Sequence, residues 1–163
     1  MNIVKGDLIE MAKNGEFDVI THGCNCFNTM GGGVARTIRD QLPEAYLVDR
    51  QTKKGDYRKL GTISLVSGLQ SLQGTPGYKL TVVNSYTQFK YWKDKNDDPT
   101  EPLVDYDAVR KCFKAIKKQF GGQNLKFGIP KIGAGLALGD WGVIAKIVDE
   151  EMEGENVTLV LFE

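Results

Sequence analysis

Two glycine-rich loops, each between a predicted strand and a predicted helix, constrain the fold of this 163-residue chain most strongly. The first loop runs from His22 to Gly33 and ends in three consecutive glycines, and the second runs from Gly133 to Gly139. In α/β folds such loops gather at the carboxyl ends of the parallel strands. Glycine lets the backbone approach an anion closely, and a helix N-terminus supplies free N–H groups. The two loops therefore predict a site that clasps a diphosphate from both sides.

The loop pattern has a plainer interpretation, in which the glycines only form tight turns. Neither loop has the spacing of a P-loop or of the dinucleotide fingerprint G-x-G-x-x-G. One such loop alone favours neither interpretation. Two loops in equivalent strand–loop–helix positions favour ligand binding.

Short apolar strands alternate with helical patterns along the rest of the chain. Strands are predicted at Asn2–Lys5, Asp18–Thr21, Thr62–Val66, Lys79–Asn84, Lys126–Pro130 and Val157–Phe162. Helices are predicted at Leu8–Lys13, from Val34 to Lys54 with a break at Pro43, after an N-cap at Asp105, and after an N-cap at Asp140. This order predicts one domain over residues 1–163, a three-layer α/β/α sandwich around a mixed, largely parallel sheet. The weakest order is expected at Leu69–Gly77 and Phe89–Pro102, the second being a solvated loop or a ligand lid.

The charge and the cysteine content limit which kinds of partner and which cellular location are expected. Lys and Arg together number 21, as do Asp and Glu, so no broad basic field favours duplex nucleic acid or an anionic membrane. No apolar run approaches the ~18 residues of a membrane span. Three cysteines form no disulfide pattern, and the chain starts without a signal-peptide pattern. We expect a cytoplasmic protein with free thiols, and a monomer by default.

Four separated motifs resemble the macro domain family. They are Val4-Lys-Gly-Asp7, Ile20-Thr-His-Gly-Cys-Asn25, Met30-Gly-Gly-Gly-Val-Ala35 and Ile129-Pro-Lys-Ile-Gly-Ala-Gly-Leu136. The motifs follow the family's order and span nearly the whole chain. The His-x-x-Asn before the triple glycine is most similar to the ADP-ribose-1″-phosphate phosphatase branch. The resemblance implies a macro domain fold and a ligand that is ADP-ribose or ADP-ribose-1″-phosphate, and it requires no metal and no cofactor.

The resemblance also implies roles for individual binding residues. Asp7 would accept a hydrogen bond from the adenine amino group, Leu8 would donate its backbone N–H to the adenine ring, and Asn25 would contact the distal ribose. The distal ribose and the phosphates would be lined by Gly31, Gly32, Gly33, Val34, Gly133, Ala134, Gly135 and Leu136. Asp7 also fits a helix N-cap, and Asn25 an Asx-turn. Phe162 is a candidate to stack on adenine, although strand parity favours a core position for it.

His22, the only histidine, is the leading catalytic candidate. An imidazole can transfer a proton near neutral pH, so His22 is predicted to act as acid, base or nucleophile at the distal phosphate, or to orient a water. The alternative is a structural histidine at a strand end. Asp140 could activate water or orient His22, although its position before Trp141 favours an N-cap. Cys24 and Cys26 with His22 leave a tetrahedral zinc site incomplete, so no metal is predicted.

Three functions follow from the resemblance. The first is a phosphatase that converts ADP-ribose-1″-phosphate to ADP-ribose and inorganic phosphate. The second is a hydrolase that removes ADP-ribose or an acyl group from a protein, a nucleic acid or O-acyl-ADP-ribose. Ala137 stands where the glycohydrolase of the family has an acidic residue, and no clear lysine nucleophile is present, so phosphate removal is favoured. The third is a non-catalytic reader of ADP-ribose, against which His22 is the main argument.

Overall fold

The computed structural model describes residues 1–70 and 79–162. These residues form six strands: β1 (Asn2–Gly6), β2 (Val19–Cys24), β3 (Ile63–Gln70), β4 (Lys79–Tyr86), β5 (Lys126–Ile129) and β6 (Asn156–Phe162). The strands make one sheet in the order β1-β6-β5-β2-β4-β3. All neighbours are parallel except β3, which runs antiparallel to β4 at one edge. The predicted mixed, largely parallel sheet is confirmed.

Helices cover both faces of the sheet. They are α1 (Leu8–Lys13), α2 (Gly33–Gln41), α3 (Pro43–Arg50), α4 (Tyr106–Phe120) and α5 (Trp141–Glu151), with a short 3₁₀ helix at Tyr57–Lys59. Successive strand residues point to opposite faces. Accordingly, Val82 packs in the cluster with α1, α2 and α3, whereas Val83 packs in the cluster with α4 and α5. The predicted α/β/α sandwich is confirmed.

Aspartate N-caps start three of the helices. The Asp105 side chain accepts a hydrogen bond from Ala108 N at the start of α4. Asp7 caps α1 and Asp140 caps α5, each accepting from two backbone N–H groups. Pro43 occupies the first position of α3, where its missing N–H costs nothing. The caps can be predicted from the sequence because they depend only on neighbouring residues.

Four strands, β1 to β4, end later than the sequence pattern predicts, and the extensions of β2 and β4 affect the site. The pattern ends β2 at Thr21, but the strand extends to Cys24, and β4 extends to Tyr86. The residues added to β2 pair with the last residues of β4, with His22 opposite Asn84 and Cys24 opposite Tyr86. His22 therefore lies within a central strand and not at the mouth of a loop.

The two stretches expected to be weakly ordered have different outcomes. Residues 71–77 of the first lie outside the described part of the chain, and Leu69 is in β3. The second, residues 89–102, is described and forms neither helix nor strand. None of the helices among the described residues combines the length and the apolar character that a membrane crossing needs.

Candidate ligand-binding cleft

A cleft of about 1610 Å³ opens where the parallel strands end. Its lining includes Lys5 at the end of β1, Phe162 at the end of β6, Pro130 after β5, and Gly23 at the end of β2. Open α/β sheets bind ligands at this edge. The volume exceeds the ~300–1,000 Å³ usual for small-molecule pockets, so an elongated ligand of dinucleotide size has room.

Both glycine-rich loops line this cleft and touch each other across it. All eight loop residues expected to hold the ribose and phosphates are in the lining: Gly31, Gly32, Gly33, Val34, Gly133, Ala134, Gly135 and Leu136. The Leu136 side chain, 74% exposed, reaches over to Gly32. Gly133 has φ +73°, and a Cβ there would lie 2.6 Å from Val104 Cγ2, so only glycine fits at the base of the second loop.

Asn25 lines the cleft and also shapes the first loop. Its Oδ1 accepts a hydrogen bond from Phe27 N at 2.8 Å, and its Nδ2 donates to Thr29 Oγ1 at 2.8 Å. The first bond is an Asx-turn, so the plainer sequence interpretation of Asn25 is confirmed. Asn25 can shape the loop and still contact a ligand, because its Oδ1 has a second lone pair that can accept a hydrogen bond from a ligand hydroxyl.

Lys59 anchors the first loop from below, a role that the sequence did not reveal. Its side chain is buried, and its Nζ donates to Asn28 Oδ1 at 2.5 Å and to Cys26 O at 3.3 Å. The Nζ also lies 4.8 Å from the centre of the Tyr86 ring. Burial lowers the pKa of Lys59, and the Asp49 carboxylate opposes that shift. These contacts hold Asn28 in its left-handed conformation at φ 59°.

Asp49 is a second lining residue that the sequence did not reveal. It lies on α3, is 1% exposed, and its Oδ1 accepts a hydrogen bond from Tyr86 OH at 2.7 Å. Burial raises the pKa of Asp49, although the bond from Tyr86 opposes this. Nothing local in the sequence marks it, because its partner comes from a strand distant in the chain.

His22 lies under the cleft and not in its lining. The imidazole is fully buried, and its Nε2 is 2.7 Å from Asn84 Oδ1. Asn84 Nδ2 donates to Ala45 O and Ser64 Oγ, so the amide oxygen faces His22 and the imidazole donates from Nε2. Burial lowers the pKa of His22 to about 4. This geometry corrects the expectation that His22 transfers a proton to the ligand, because a neutral, enclosed ring cannot reach it.

Asp140 is also away from the lining. It is exposed, and its Oδ1 accepts from Gly142 N at 2.8 Å and from Val143 N at 3.4 Å. Its own N–H donates to Tyr106 OH. The N-cap interpretation is confirmed, and the expectation of a catalytic Asp140 beside His22 is corrected, since the two side chains occupy separate environments.

The β1–β6 end of the cleft carries the residues expected to meet adenine. Asp7 and Leu8 follow β1 there, although neither lines the cleft and Leu8 is buried. The Asp7 Oδ1 accepts from Ile9 N and Glu10 N, which confirms its N-cap role. Phe162 is 83% exposed and lies opposite Gly6 in the register. The interpretation of Phe162 as a core residue is wrong, and the residue lines the cleft.

An aromatic cluster borders the first loop. Phe27 contacts Phe89 at 5.0 Å and Trp92 at 4.9 Å between ring centres, and Tyr91 contacts Trp92. The start of the segment 89–102 is therefore packed against the loop, and Tyr91 lines the cleft. Further on the segment is mostly exposed, and ion pairs from Lys90 to Asp94 and Asp97 hold it together.

The cleft is more positive than the protein as a whole. Five cationic side chains line it: Lys5, Arg39, Arg50, Lys54 and Lys131. The one carboxylate that the described residues contribute to the lining is the buried Asp49. Because charges focused in a cleft attract ligands of opposite sign, this lining favours an anionic ligand. The described residues contain no group of three or more His, Cys, Asp or Glu that could hold a metal ion.

Comparison with known proteins gives relatives that align with most of the chain. No family model matches it. An uncharacterized 17.5 kDa protein from the tk-vs intergenic region of Enterobacteria phage T4 is 32% identical over 98% of this chain and 95% of its own length. An ADP-ribose 1″-phosphate phosphatase of Scheffersomyces stipitis is 29% identical over 85% of this chain and 87% of its own.

Among solved structures, the macrodomain of Thermus aquaticus DarG has the same fold. It superimposes with a TM-score of 0.66 at 18% identity, covering 99% of this chain and 97% of that one. A sequence identity of 18% supports a shared fold and nothing further. The fold of this chain thus recurs in a protein with few identical residues.

Proposed function

We propose that this chain, which belongs to the macro domain family, is a phosphatase that hydrolyses ADP-ribose-1″-phosphate to ADP-ribose and inorganic phosphate. The observation that carries the proposal is the cleft between two touching glycine-rich loops, with five cations in its lining and one buried carboxylate. A ligand with several phosphates suits such a lining. Relatives that are named ADP-ribose 1″-phosphate phosphatases support the choice of substrate.

The positions of the lining residues suggest how the ligand lies. Adenine would sit at the β1–β6 end, stacked on Phe162 and close to Asp7. The diphosphate would pass between the two loops, beneath the bridge from Leu136 to Gly32. The distal ribose would then meet Asn25, so that its phosphate points to the part of the cleft lined by Arg39, Asp49 and Arg50.

The chemistry would depend on positioning and charge. A water molecule attacks the phosphorus, the bond between phosphorus and O1″ breaks, and O1″ takes up a proton, which gives ADP-ribose and inorganic phosphate. Backbone N–H groups of the loops and cationic side chains would stabilise the charge on the transferring phosphoryl group. His22 would have only a structural role, in which its hydrogen bond with Asn84 supports the strands under the cleft.

The test is turnover by the purified protein. ADP-ribose-1″-phosphate is incubated with the wild type, with Asn25→Ala and with the control Asn96→Ala, and both products are followed by chromatography. Asn96 is exposed and lies outside the cleft lining, so its removal should change nothing. We expect equal amounts of ADP-ribose and phosphate from the wild type and the control, and a large loss in Asn25→Ala.

A wild type that binds ADP-ribose but releases no phosphate would overturn the proposal. The same preparations are then incubated with ADP-ribosylated protein, ADP-ribosylated oligonucleotide and O-acetyl-ADP-ribose. Release of ADP-ribose or acetate from one of them would establish the hydrolase alternative. Binding without any turnover would leave a reader of ADP-ribose.

A further inference from the structure

Two arginines share one aromatic ring at the α2–α3 end of the cleft. Arg39 on α2 has its Cζ 5.3 Å from the centre of the Tyr46 ring, and Arg50 on α3 has its Cζ 5.6 Å from the same centre. The Arg50 Nη1 also donates to Tyr46 OH at 3.1 Å. All three side chains line the cleft, and the Tyr46 ring limits the rotamers of both guanidinium groups.

The positive charge of this cluster is poorly compensated. The carboxylate that pairs with Arg39 is Asp40, at 3.9 Å and exposed, where an ion pair contributes little. Arg50 forms no ion pair among the described residues. Asp49 is close to Arg50, but it is buried and its Oδ1 is taken by Tyr86 OH. Both guanidinium groups are positively charged and line the same cleft beside one ring, so an anion in this part of the cleft would be attracted by both.

The cluster lies next to the residue proposed to hold the distal ribose. Asn25 Nδ2 donates to Thr29 Oγ1 at 2.8 Å, and Arg39 Nη1 donates to Thr29 O at 3.5 Å. One residue, Thr29, therefore connects Asn25 to Arg39. Lys5 and Phe162 line the cleft at the ends of β1 and β6, on the other side of both loops.

We infer that Arg39 and Arg50, held against Tyr46, form a subsite for a phosphate monoester on the distal ribose and set the preference of the cleft for ADP-ribose-1″-phosphate over ADP-ribose. The inference rests on the proposed function. A guanidinium group donates two parallel hydrogen bonds to phosphate oxygens, so two of them can hold a dianionic group in a fixed direction. ADP-ribose itself has a hydroxyl at that position and gains nothing from the cluster.

The experiment compares Arg39→Gln, Arg50→Gln and the double variant with Arg36→Gln. Arg36 lies on the same helix α2 and does not line the cleft, so it controls for loss of a positive charge near the site. For each protein, KM is measured for ADP-ribose-1″-phosphate and the inhibition constant is measured for ADP-ribose. Each lost charged hydrogen bond should raise KM about tenfold or more. The inhibition constant should change less than about twofold, and the ratio of the two constants should stay at the wild-type value in Arg36→Gln.

A second variant, Tyr46→Leu, keeps both charges and removes the ring that orients them. It should raise KM in the same direction but by less than the double arginine variant. Equal weakening of both ligands by Arg39→Gln and Arg50→Gln would overturn the inference, because the arginines would then act on the whole ligand. If Arg39→Gln and Arg50→Gln turn over normally with unchanged KM and inhibition constant, the inference is overturned while the proposed function stands.

The failure of the proposed function has a different signature. If the wild type releases no phosphate, KM and the inhibition constant are replaced by dissociation constants. Calorimetry measures them for ADP-ribose-1″-phosphate and for ADP-ribose, and their ratio is compared between the variants. A wild-type preference for ADP-ribose-1″-phosphate that disappears in the double variant then supports the subsite without the phosphatase. No preference in the wild type contradicts the subsite.

Discussion

The Leu136 side chain bridges the cleft to Gly32, with its Cδ1 2.9 Å from the position that a Cβ atom would occupy at Gly32. Gly32 has an extended backbone at φ −150°, which any residue can adopt. A Cβ atom at Gly32 would therefore displace the end of the exposed Leu136 side chain, whereas the backbone conformation there suits any residue. The neighbouring Gly31 belongs to the same triple glycine, yet a Cβ atom there would meet no other atom within 4 Å.

Gly32→Ala should weaken ADP-ribose binding through this contact. The new methyl group displaces Leu136 and disturbs the closure of the two loops over the diphosphate. We expect about a tenfold loss of affinity, or about 1.4 kcal/mol. Titration calorimetry measures it, with Gly142→Ala as the control that should bind like the wild type, because Gly142 is exposed in α5 and lies outside the cleft lining. An unchanged affinity of Gly32→Ala would show that the bridge has no part in binding.

Phe162→Ala should weaken binding of the adenine part of the ligand. Stacking of a base on an aromatic side chain contributes about 1–3 kcal/mol, so the dissociation constant of ADP-ribose should rise about fivefold or more. Ile3→Ala is the control, because Ile3 is exposed on the neighbouring strand β1 and does not line the cleft. Ribose 5-phosphate, which lacks adenine, should bind both variants equally. An unchanged affinity of Phe162→Ala for ADP-ribose would exclude the stack.

His22 should make the protein less stable in mild acid. Its pKa in the folded state is about 4, below the 6.5 of an exposed histidine, because burial disfavours the charged ring. The folded state thus binds fewer protons than the unfolded state between these values, so this contribution to the free energy of unfolding is complete above pH 6.5 and is lost as the pH falls to 4. At about 1.36 kcal/mol for each pH unit, the loss is about 3 kcal/mol.

The measurement is denaturant unfolding of the wild type and His22→Gln from about pH 7 to about pH 4. As the pH falls, the free energy of unfolding of the wild type should decrease by more than that of His22→Gln, since glutamine does not titrate. Parallel curves would contradict the pKa of His22. Release of phosphate should persist in folded His22→Gln, because the imidazole does not reach the cleft.

The sequence predicted those features that depend on neighbouring residues. The N-caps at Asp105 and Asp140 and the apolar face of α4 are local patterns, and the structure contains them. The loops at the sheet edge were predictable because strand, loop and helix follow each other along the chain.

Features set by distant partners were missed. His22 has the sequence surroundings of a polar loop, yet pairing with Asn84 on β4 extends the strand through it. Phe162 follows buried residues Leu159 and Val160, but at the end of β6 the helices no longer cover the sheet. Lys59 and Asp49 are buried only because each finds a partner elsewhere in the chain, Asn28 for one and Tyr86 for the other. Burial of a charged side chain needs such a partner, and local sequence does not show it.

Asp140 allows a structural role to be separated from a catalytic one. Asp140→Ala removes the acceptor for Gly142 N and Val143 N at the start of α5, so the free energy of unfolding should fall by about 1 kcal/mol. Asp140→Asn keeps an oxygen that can cap the helix and should stay within a few tenths of a kcal/mol of the wild type. Denaturant unfolding measures both. Phosphate release should be unchanged in either variant, because the side chain does not line the cleft. Loss of turnover in a folded Asp140→Asn protein would instead assign the carboxylate to the reaction.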